Sequence, residues 1–156
     1  MPTAIVSGDI FETPDIHAYA FGANTDGTMD VGIAIAMKKR WPALAEAFKA
    51  RCADDKFSLG DAFMWSEGDV TVFALGIARG EKKPSISALT HSVRRMLALA
   101  AEAKIKRIGV GRIVGVDWTR ARKMFGEISV NHSVRLDVFE QFVRNQETSL
   151  RRSANS

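Results

Sequence analysis

The sequence predicts a three-layer α/β/α fold with a mixed, largely parallel central sheet. Two observations lead to this prediction. Short apolar runs typical of strands alternate with helical periodicities along most of the 156 residues. In addition, the first two apolar runs end in an acidic residue and in a glycine-bearing loop that opens a helix. Such endings are typical of a nucleotide pocket at the carboxyl edge of a parallel sheet.

The first elements are two short strands. Residues 4–6 are apolar and end at Gly8 and Asp9, and a turn then leads to a second strand over residues 16–21. The stretch 22–31 is rich in small and polar residues. It is therefore predicted to be a loop.

Two consecutive helices follow this loop. Apolar residues recur at helical spacing from Ile33 to Phe48. Pro42 favours the first turn of a new helix after a break near Arg40 and Trp41, because proline lacks the N–H that a helix interior requires. Two helices are therefore favoured over one.

A hairpin and a long helix come next. Residues 61–65 and 70–77 are strand formers on either side of a turn that contains Gly68, which predicts an antiparallel pair. The stretch from about Ser85 to Ala103 has apolar residues on one helical face. Its other face is polar.

The remaining elements alternate again. Residues 105–111 predict a strand, and Asp117 has the position of an N-cap for a helix that ends near Ile128. Apolar and polar residues alternate over 134–139, which predicts a half-exposed last strand.

The predicted folded unit is a single domain over residues 1–142. A chain of 156 residues with 46% hydrophobic composition is of ordinary size for one domain. Residues 143–156 are polar and without periodicity, so they are predicted to be a disordered tail. The net charge of +4 falls to +2 without residues 144–156, because that segment holds three Arg and one Glu. The excess of basic residues is thus largely a property of the tail.

The cysteine content and the lack of long apolar runs predict a cytoplasmic protein without a membrane partner. Cys52 is the single cysteine, which excludes an internal disulfide framework and favours a reducing compartment. No apolar run approaches the ~20 residues that cross a bilayer, and the N-terminal residues lack the pattern of a secretory signal.

Five motifs in order give the sequence a family resemblance. Each lies at a predicted strand end or helix start. They are residues 8–10 (Gly-Asp-Ile), the loop and helix start over 24–34, Lys83 and Pro84, residues 111–113 (Gly-Arg-Ile), and residues 115–118 (Gly-Val-Asp-Trp). With this set the chain resembles the macrodomain family over residues 3–140, and within that family the subgroup of the terminal ADP-ribose glycohydrolases and ADP-ribose 1″-phosphate phosphatases.

The resemblance implies a pocket for ADP-ribose. Asp9 would accept a hydrogen bond from the adenine amine, and the amide of Ile10 would meet a ring nitrogen. Phe139 would pack against the adenine, and Asn24 would contact the distal ribose. Simpler roles stay open for three of them: a cap for Asp9, a core aromatic for Phe139 and a loop former for Asn24.

Two backbone loops would hold the diphosphate. The first lies at a helix N-terminus, where N–H groups without partners and the helix dipole favour an anion and glycine permits close approach. The second precedes the helix capped by Asp117, and an ordinary strand-to-helix turn is its alternative. The residues are Gly32, Ile33 and Ala34 in the first loop, and Val114, Gly115 and Val116 in the second.

The first loop departs from the family pattern. Asp30 and Val31 stand where relatives commonly carry glycines. A carboxylate beside a diphosphate is repulsive by about 1 kcal/mol or more unless it points to solvent or binds a cation. The affinity for ADP-ribose therefore depends on where Asp30 points.

The catalytic lysine of the glycohydrolase members is also not matched. Its position falls on Ile77 or Ala78, and neither side chain can form a covalent adduct with a sugar. Arg79 and Lys82 lie nearby and are interpreted as solvated loop charges. Asp26 and Asp30 are the predicted catalytic residues instead, as general bases that activate water beside the distal ribose.

The predicted ligand is ADP-ribose or an ADP-ribosylated macromolecule, with no cofactor and no metal. His17, His91 and His132 are scattered along the predicted elements. Hydrolysis of an ADP-ribosyl linkage or of the 1″-phosphate is one hypothesis, and an inactive reader or degenerate scaffold is the alternative. A nucleic-acid-associated domain is third, because the basic clusters at 38–40 and 94–95 lie on different helices without interleaved aromatics.

Overall fold

The structure, a computed structural model, describes residues 3–130, 132–142 and 149–150. The strands are β1 (Ala4–Gly8), β2 (Ala18–Asn24), β3 (Ala62–Glu67), β4 (Val70–Ala78), β5 (Arg107–Val110), β6 (Arg135–Phe142) and β7 (Ser149–Leu150). The helices are α1 (Ile33–Arg40), α2 (Pro42–Ala53), α3 (Ile86–Glu102) and α4 (Trp118–Ser129), and a short 3-10 helix covers Ile10–Glu12.

All seven strands form one sheet in the order β3-β4-β2-β5-β6-β1-β7. The five strands from β4 to β1 in this order are parallel to their neighbours, and β3 and β7 are antiparallel at the two edges. The mixed, largely parallel sheet is therefore confirmed. The carboxyl ends of the five parallel strands share one side of the sheet, here named the carboxyl edge, and their starts form the amino edge.

Helices cover both faces of the sheet and complete three layers. One core cluster joins α3 and α4 to the sheet, with Leu89, Met96 and Phe125 fully buried. The other joins α1 and α2 to the opposite face, with Met37 and Phe48 fully buried. Burying apolar surface on both faces is what the near-continuous apolar strands require.

The long helix α3 forms as its periodicity predicts. Its buried residues recur at three- and four-residue intervals and face the sheet. Ser85 is the N-cap, and its hydroxyl accepts a hydrogen bond of 3.1 Å from the amide of Ala88. Helix α4 is capped in the same way, because the Asp117 carboxylate accepts a hydrogen bond from the amide of Arg120.

The predicted break between α1 and α2 is confirmed. Trp41 leaves helical geometry with φ −131° and ψ 79°, and Pro42 begins α2 at the position that tolerates proline. The Trp41 ring packs among Phe11, Tyr19 and Trp65, with centroid distances of 5.6 to 6.5 Å. The break thus places a large aromatic side chain in a cluster on this face of the sheet.

Four details differ from the sequence prediction. The strand predicted as half-exposed over residues 134–139 is β6, which lies between β5 and β1 and is buried, with Asp137 at 1% exposure. The 3-10 helix after β1 was not predicted. β2 runs from Ala18 to Asn24 rather than over residues 16–21, and the Ile16 carbonyl accepts a hydrogen bond from the Tyr19 hydroxyl instead of a strand partner. Ser149 and Leu150, which lie in the predicted tail 143–156, pair with β1. The rest of that tail lies outside the described residues.

No helix in the described part of the chain combines the length and the apolar character needed to cross a membrane.

Candidate functional site

A cavity of about 680 Å³ opens at the carboxyl edge, between α1 and the ends of β1, β5 and β6. Its volume is typical of a site for a small organic ligand. Its walls are formed by Asp9, Ile10, Phe11, Gly32, Ile33, Ile35, Ala36, Lys39, Arg40, Gly111, Arg112, Val114 and Phe139. We name it the larger cavity.

A second cavity of about 190 Å³ lies next to it, at the ends of β2 and β4. It is lined by Gly22, Ala23, Asn24, Val31, Gly32, Ile33, Ile77, Ala78, Lys82, Pro84, Arg112 and Val114. We name it the smaller cavity. Gly32, Ile33, Arg112 and Val114 line both cavities, so the two spaces meet at these four residues.

The two loops predicted to hold a diphosphate converge at this meeting point. A Cβ atom placed on Gly32 would lie 3.5 Å from Cγ2 of Val114. Gly32 precedes α1 with φ 61° and ψ −139°, a conformation that side-chain-bearing residues rarely adopt. The first-turn N–H groups of α1 therefore start at the junction of the two cavities.

The approach of α1 to the sheet depends on Gly111. A Cβ atom at Gly111 would lie only 2.6 Å from Cγ2 of Ile33. The Gly111 amide donates to the carbonyl of Ala20, which holds the end of β5 beside β2. A glycine at this strand end thus lets the helix start sit directly above it.

Asp9, Ile10 and Phe139, the residues predicted to contact adenine, all line the larger cavity. All three are buried, at 3%, 0% and 1% exposure. The Asp9 carboxylate accepts a hydrogen bond of 2.9 Å from the amide of Phe11 and so caps the 3-10 helix. The capping role that the sequence left open is therefore observed, and it fixes the carboxylate at the cavity wall.

Asn24 lines the smaller cavity but also joins two loops. Its amide nitrogen donates to the Gly80 carbonyl at 2.8 Å, and its oxygen accepts from the amides of Gly80 and Asp26 at 3.1 and 2.9 Å. The loop-forming role is thus observed. Only part of the Asn24 hydrogen-bonding capacity is left for a ribose.

Asp26 and Asp30, the predicted catalytic residues, line neither cavity. The Asp26 carboxylate accepts from the amide and hydroxyl of Thr28, at 3.0 and 2.7 Å. The adjacent Gly27 packs on α2, where a Cβ atom would lie 3.3 Å from Cβ of Cys52. This contact carries the loop away from the cavities. Asp30 is exposed to solvent, which is the orientation that avoids repulsion with a phosphate.

The pKa of Cys52 agrees with a position of Asp26 near α2. Burial, with a smaller contribution from the Asp26 carboxylate, raises the pKa of the Cys52 thiol to about 11. The guanidinium of Arg51 opposes this increase. The Asp26 carboxylate is therefore close enough to α2 to influence the thiol.

Three predicted phosphate-loop residues do not line a cavity. Ala34 is buried against the core, and Val116 packs on the cluster beneath α4. Gly115 has φ 91° and lies against Pro84, whose Cγ would be 2.8 Å from an added Cβ. Within the second loop, only Val114 reaches the cavities.

Four basic residues at the site were not predicted to line it. Arg112 lies between the cavities, where its Nη1 donates to the carbonyl of Glu140 at 2.6 Å. Lys39 and Arg40 line the larger cavity at the last turn of α1. Lys82, interpreted from sequence as a solvated loop charge, is exposed but lines the smaller cavity.

A signal for two of these residues was present in the sequence. Arg112 is the second residue after β5, at the carboxyl end of a parallel strand, and Lys39 is seven residues from Gly32, so it shares a helical face with the phosphate loop. The position of Lys82 depends on how its loop folds over Pro84. Sequence periodicity carries no information on that fold.

Comparison with known proteins supports the fold. No protein-family model and no curated protein matches the sequence. The structure is similar to the macrodomain of Thermus aquaticus DarG, with a TM-score of 0.80 and 18% identity over 88% of this chain and 97% of that one. It is also similar to the macrodomain of Mycobacterium tuberculosis DarG, with a TM-score of 0.81 and 18% identity over 88% and 96%.

A third similar structure is Thermosipho africanus DarTG in complex with ADP-ribose. Its TM-score is 0.78 at 15% identity, and the match covers 94% of this chain and 43% of that chain. At such identities the similarity concerns the fold. Together with the sheet order and the two helical layers, it leads to one conclusion: this chain has the macrodomain fold, as its motifs predicted.

Proposed function

We propose that this protein binds ADP-ribose, with the adenosine in the larger cavity and the distal ribose in the smaller one. The observation that carries the proposal is the junction of the two cavities at Gly32, Ile33, Arg112 and Val114. ADP-ribose has two bulky ends joined by a diphosphate, a shape that two adjoining cavities can accommodate. Thermosipho africanus DarTG, part of which has a similar structure, was solved in complex with ADP-ribose, which supports the choice of ligand.

The chemistry of the junction suits a diphosphate. The first-turn amides of α1 and the guanidinium of Arg112 are donors that favour an anion in this position. No carboxylate lines the junction itself, and Asp9 is the only one of either cavity in the described part of the chain. The diphosphate would therefore meet donors on both sides.

The adenosine end supplies aromatic and apolar walls. Phe11 and Phe139 line the larger cavity with Ile10 and Ile35, and the buried Asp9 carboxylate lies beside them. A purine gains by burial against such side chains, and a fixed carboxylate favours its exocyclic amine. These contacts support adenosine in this cavity.

Isothermal titration calorimetry with ADP-ribose tests the proposal. We expect one site per chain for the native protein and no measurable heat for Ala36→Phe, whose ring would occupy the larger cavity. Ala43→Phe on the exposed side of α2 is the matched control and should bind like the native protein. If native protein and control give no heat, the ADP-ribose proposal is wrong and the scaffold alternative stands.

Hydrolysis is a second candidate function, and one observation favours it: Lys82 lines the smaller cavity. An amine beside the anomeric carbon of the distal ribose is the nucleophile type that the glycohydrolase resemblance implies. The general-base role of Asp26 and Asp30 stays a prediction, which their positions outside both cavities do not favour.

Release of ADP-ribose from a modified protein or nucleic acid distinguishes these mechanisms. Loss of release in Lys82→Met, with release retained in the adjacent control Lys83→Met, would assign the reaction to Lys82. Loss in a double Asp26→Asn and Asp30→Asn variant alone would instead support a water-activating carboxylate. No release by the native protein would leave an ADP-ribose reader.

A further inference from the structure

We propose that the larger cavity also binds a phosphate ester on the adenosine ribose, so that its preferred ligand is an adenosine 2′- or 3′-phosphate derivative of the nucleotide. The inference rests on the proposed function and specifies its ligand. It is carried by Lys39 and Arg40, which line the larger cavity at the end of α1 away from the diphosphate loops.

The larger cavity holds two cations in addition to the donors at the diphosphate position. Its walls hold three cationic side chains, Lys39, Arg40 and Arg112, against one carboxylate, Asp9. Arg112 and the α1 amides already face the diphosphate position. In the described ranges, no carboxylate oxygen lies within 4.0 Å of the charged nitrogens of Lys39 or Arg40. These two cations are therefore available to a ligand.

Helix geometry separates the two groups of donors. Gly32, Ile35, Ala36, Lys39 and Arg40 recur at three- and four-residue intervals, so they share one face of the helix. From Gly32 to Arg40 the helix rises about 12 Å. The wall thus changes from amide donors at one end, through apolar side chains, to two cations at the other.

Arg40 is held in place by an aromatic ring. Its guanidinium carbon lies 4.3 Å from the centroid of Phe11, which itself lines the cavity. A guanidinium that stacks through its face keeps its N–H donors in the plane, where they can reach a phosphate oxygen. Tyr19 beneath the same cluster is buried, and its hydroxyl is bonded to the Ile16 carbonyl. The ring cluster therefore orients Arg40 without neutralising it.

Basic residues in a last helical turn also complement the helix dipole, and this could explain Lys38, Lys39 and Arg40 alike. The cavity distinguishes them: Lys38 belongs to the same turn but lines neither cavity. Lys38 is therefore the internal control for a role in ligand binding.

The test measures the dissociation constants of four small probes on the full chain: AMP, ADP, adenosine 2′,5′-bisphosphate and adenosine 3′,5′-bisphosphate. ADP carries two phosphates at the 5′ position, so it matches the bisphosphates in phosphate number and differs in where the second one lies. We expect at least one bisphosphate to bind about tenfold or more tightly than both AMP and ADP. Comparison of the two bisphosphates identifies the 2′ or the 3′ position.

Variants then locate the contact. The tenfold preference should disappear in a double Lys39→Gln and Arg40→Gln variant and persist in Lys38→Gln. If the bisphosphates bind no more tightly than ADP, or if Lys38→Gln removes the preference equally, this inference is overturned.

That failure is distinguishable from failure of the proposed function. Binding of ADP-ribose by the native protein, with equal affinity for ADP and the bisphosphates, would leave ADP-ribose binding intact and remove only the additional phosphate. Absence of binding by ADP-ribose and by all four probes would overturn both.

Discussion

The charged residues compared here at the two edges of the sheet differ in whether an ion pair neutralises them. At the amino edge, the Asp137 carboxylate is 1% exposed and forms ion pairs with Arg107 and with Arg135, the latter at 2.9 Å. At the carboxyl edge, Lys39, Arg40 and Arg112 line cavities, with no carboxylate within ion-pairing distance in the described ranges. Charge that is already paired supports the fold, whereas charge left without a counterion at a cavity is available for a ligand.

The amino edge should show the largest effect on stability. Asp137→Asn removes the carboxylate that two arginines share and leaves both cations beside a buried amide. We expect the free energy of unfolding in urea to fall by about 3 kcal/mol. The exposed turn variant Asp69→Asn is the control, with a change within about 0.5 kcal/mol.

Asp137→Asn also tests whether the amino edge contributes to ligand binding. Its affinity for ADP-ribose, measured where the protein is folded, should equal that of the native chain. A native-like unfolding curve for Asp137→Asn, or a weakened affinity, would mean that the two edges are not distinct in this way.

Arg112 should show the reverse pattern. We expect Arg112→Gln to weaken ADP-ribose binding by about 10- to 100-fold, because a charge-assisted hydrogen bond to phosphate is worth roughly 1.5–3 kcal/mol. The loss of stability should stay within about 1 kcal/mol, because one hydrogen bond to the Glu140 carbonyl is removed. Arg94→Gln on the exposed face of α3 provides the control. Unchanged affinity in Arg112→Gln would place the diphosphate elsewhere.

Salt should affect the two edges to different extents. Raising NaCl from about 0.05 to 0.5 M should weaken ADP-ribose binding several-fold, since the cations at the cavity are exposed to screening. The free-energy difference between the native protein and Asp137→Asn should change little, because buried pairs are screened much less. Calorimetry and urea unfolding at both salt concentrations measure these effects. Equal salt sensitivity at both edges would contradict the comparison.

The smallest effect is expected at Cys52, which lies on α2 and lines neither cavity. Its raised pKa of about 11 keeps the thiol protonated at neutral pH. Alkylation should therefore be slow at pH 7–8, should accelerate only as the pH approaches 11, and should be unaffected by ADP-ribose. Mass spectrometry of iodoacetamide-treated protein measures this.

The same pKa shift makes the stability of the folded protein depend on pH. The folded state holds the thiol proton more tightly than the unfolded chain, in which the thiol has its ordinary pKa of 9.0. The contribution of Cys52 is thus complete below pH 9 and is lost as the pH rises towards 11. Rapid labelling at pH 7.5 in folded protein would show that the thiol is not buried as described.

Most of the fold could be predicted from the sequence because its elements depend on local patterns. Apolar periodicity identifies α3, the Asp117 cap identifies the start of α4, and Pro42 marks the start of α2. The 3-10 helix after β1 was missed, since it is a single turn in which the amide of Phe11 donates to the Asp9 carboxylate and the amide of Glu12 donates to the Asp9 carbonyl. An element of three residues is too short to show a periodicity in the sequence.

The site was predictable only where it follows from strand ends. Asp9 directly follows β1 and Gly32 directly precedes α1, and both line the larger cavity. Asp26 was predicted to face the pocket from its loop position alone, yet Gly27 packs on α2 and turns that loop away. Such loop packing depends on residues distant in sequence, which composition and spacing do not identify.

Asn24 has a consequence for how the smaller cavity can move. One side-chain amide fastens the end of β2 to Gly80, 56 residues further along the chain, by a reciprocal pair of hydrogen bonds. The end of β2 and the loop at Gly80 are therefore held together beside the smaller cavity. Lys82 lies only two residues beyond Gly80, so this pair of hydrogen bonds limits how far the loop can carry Lys82 from the smaller cavity.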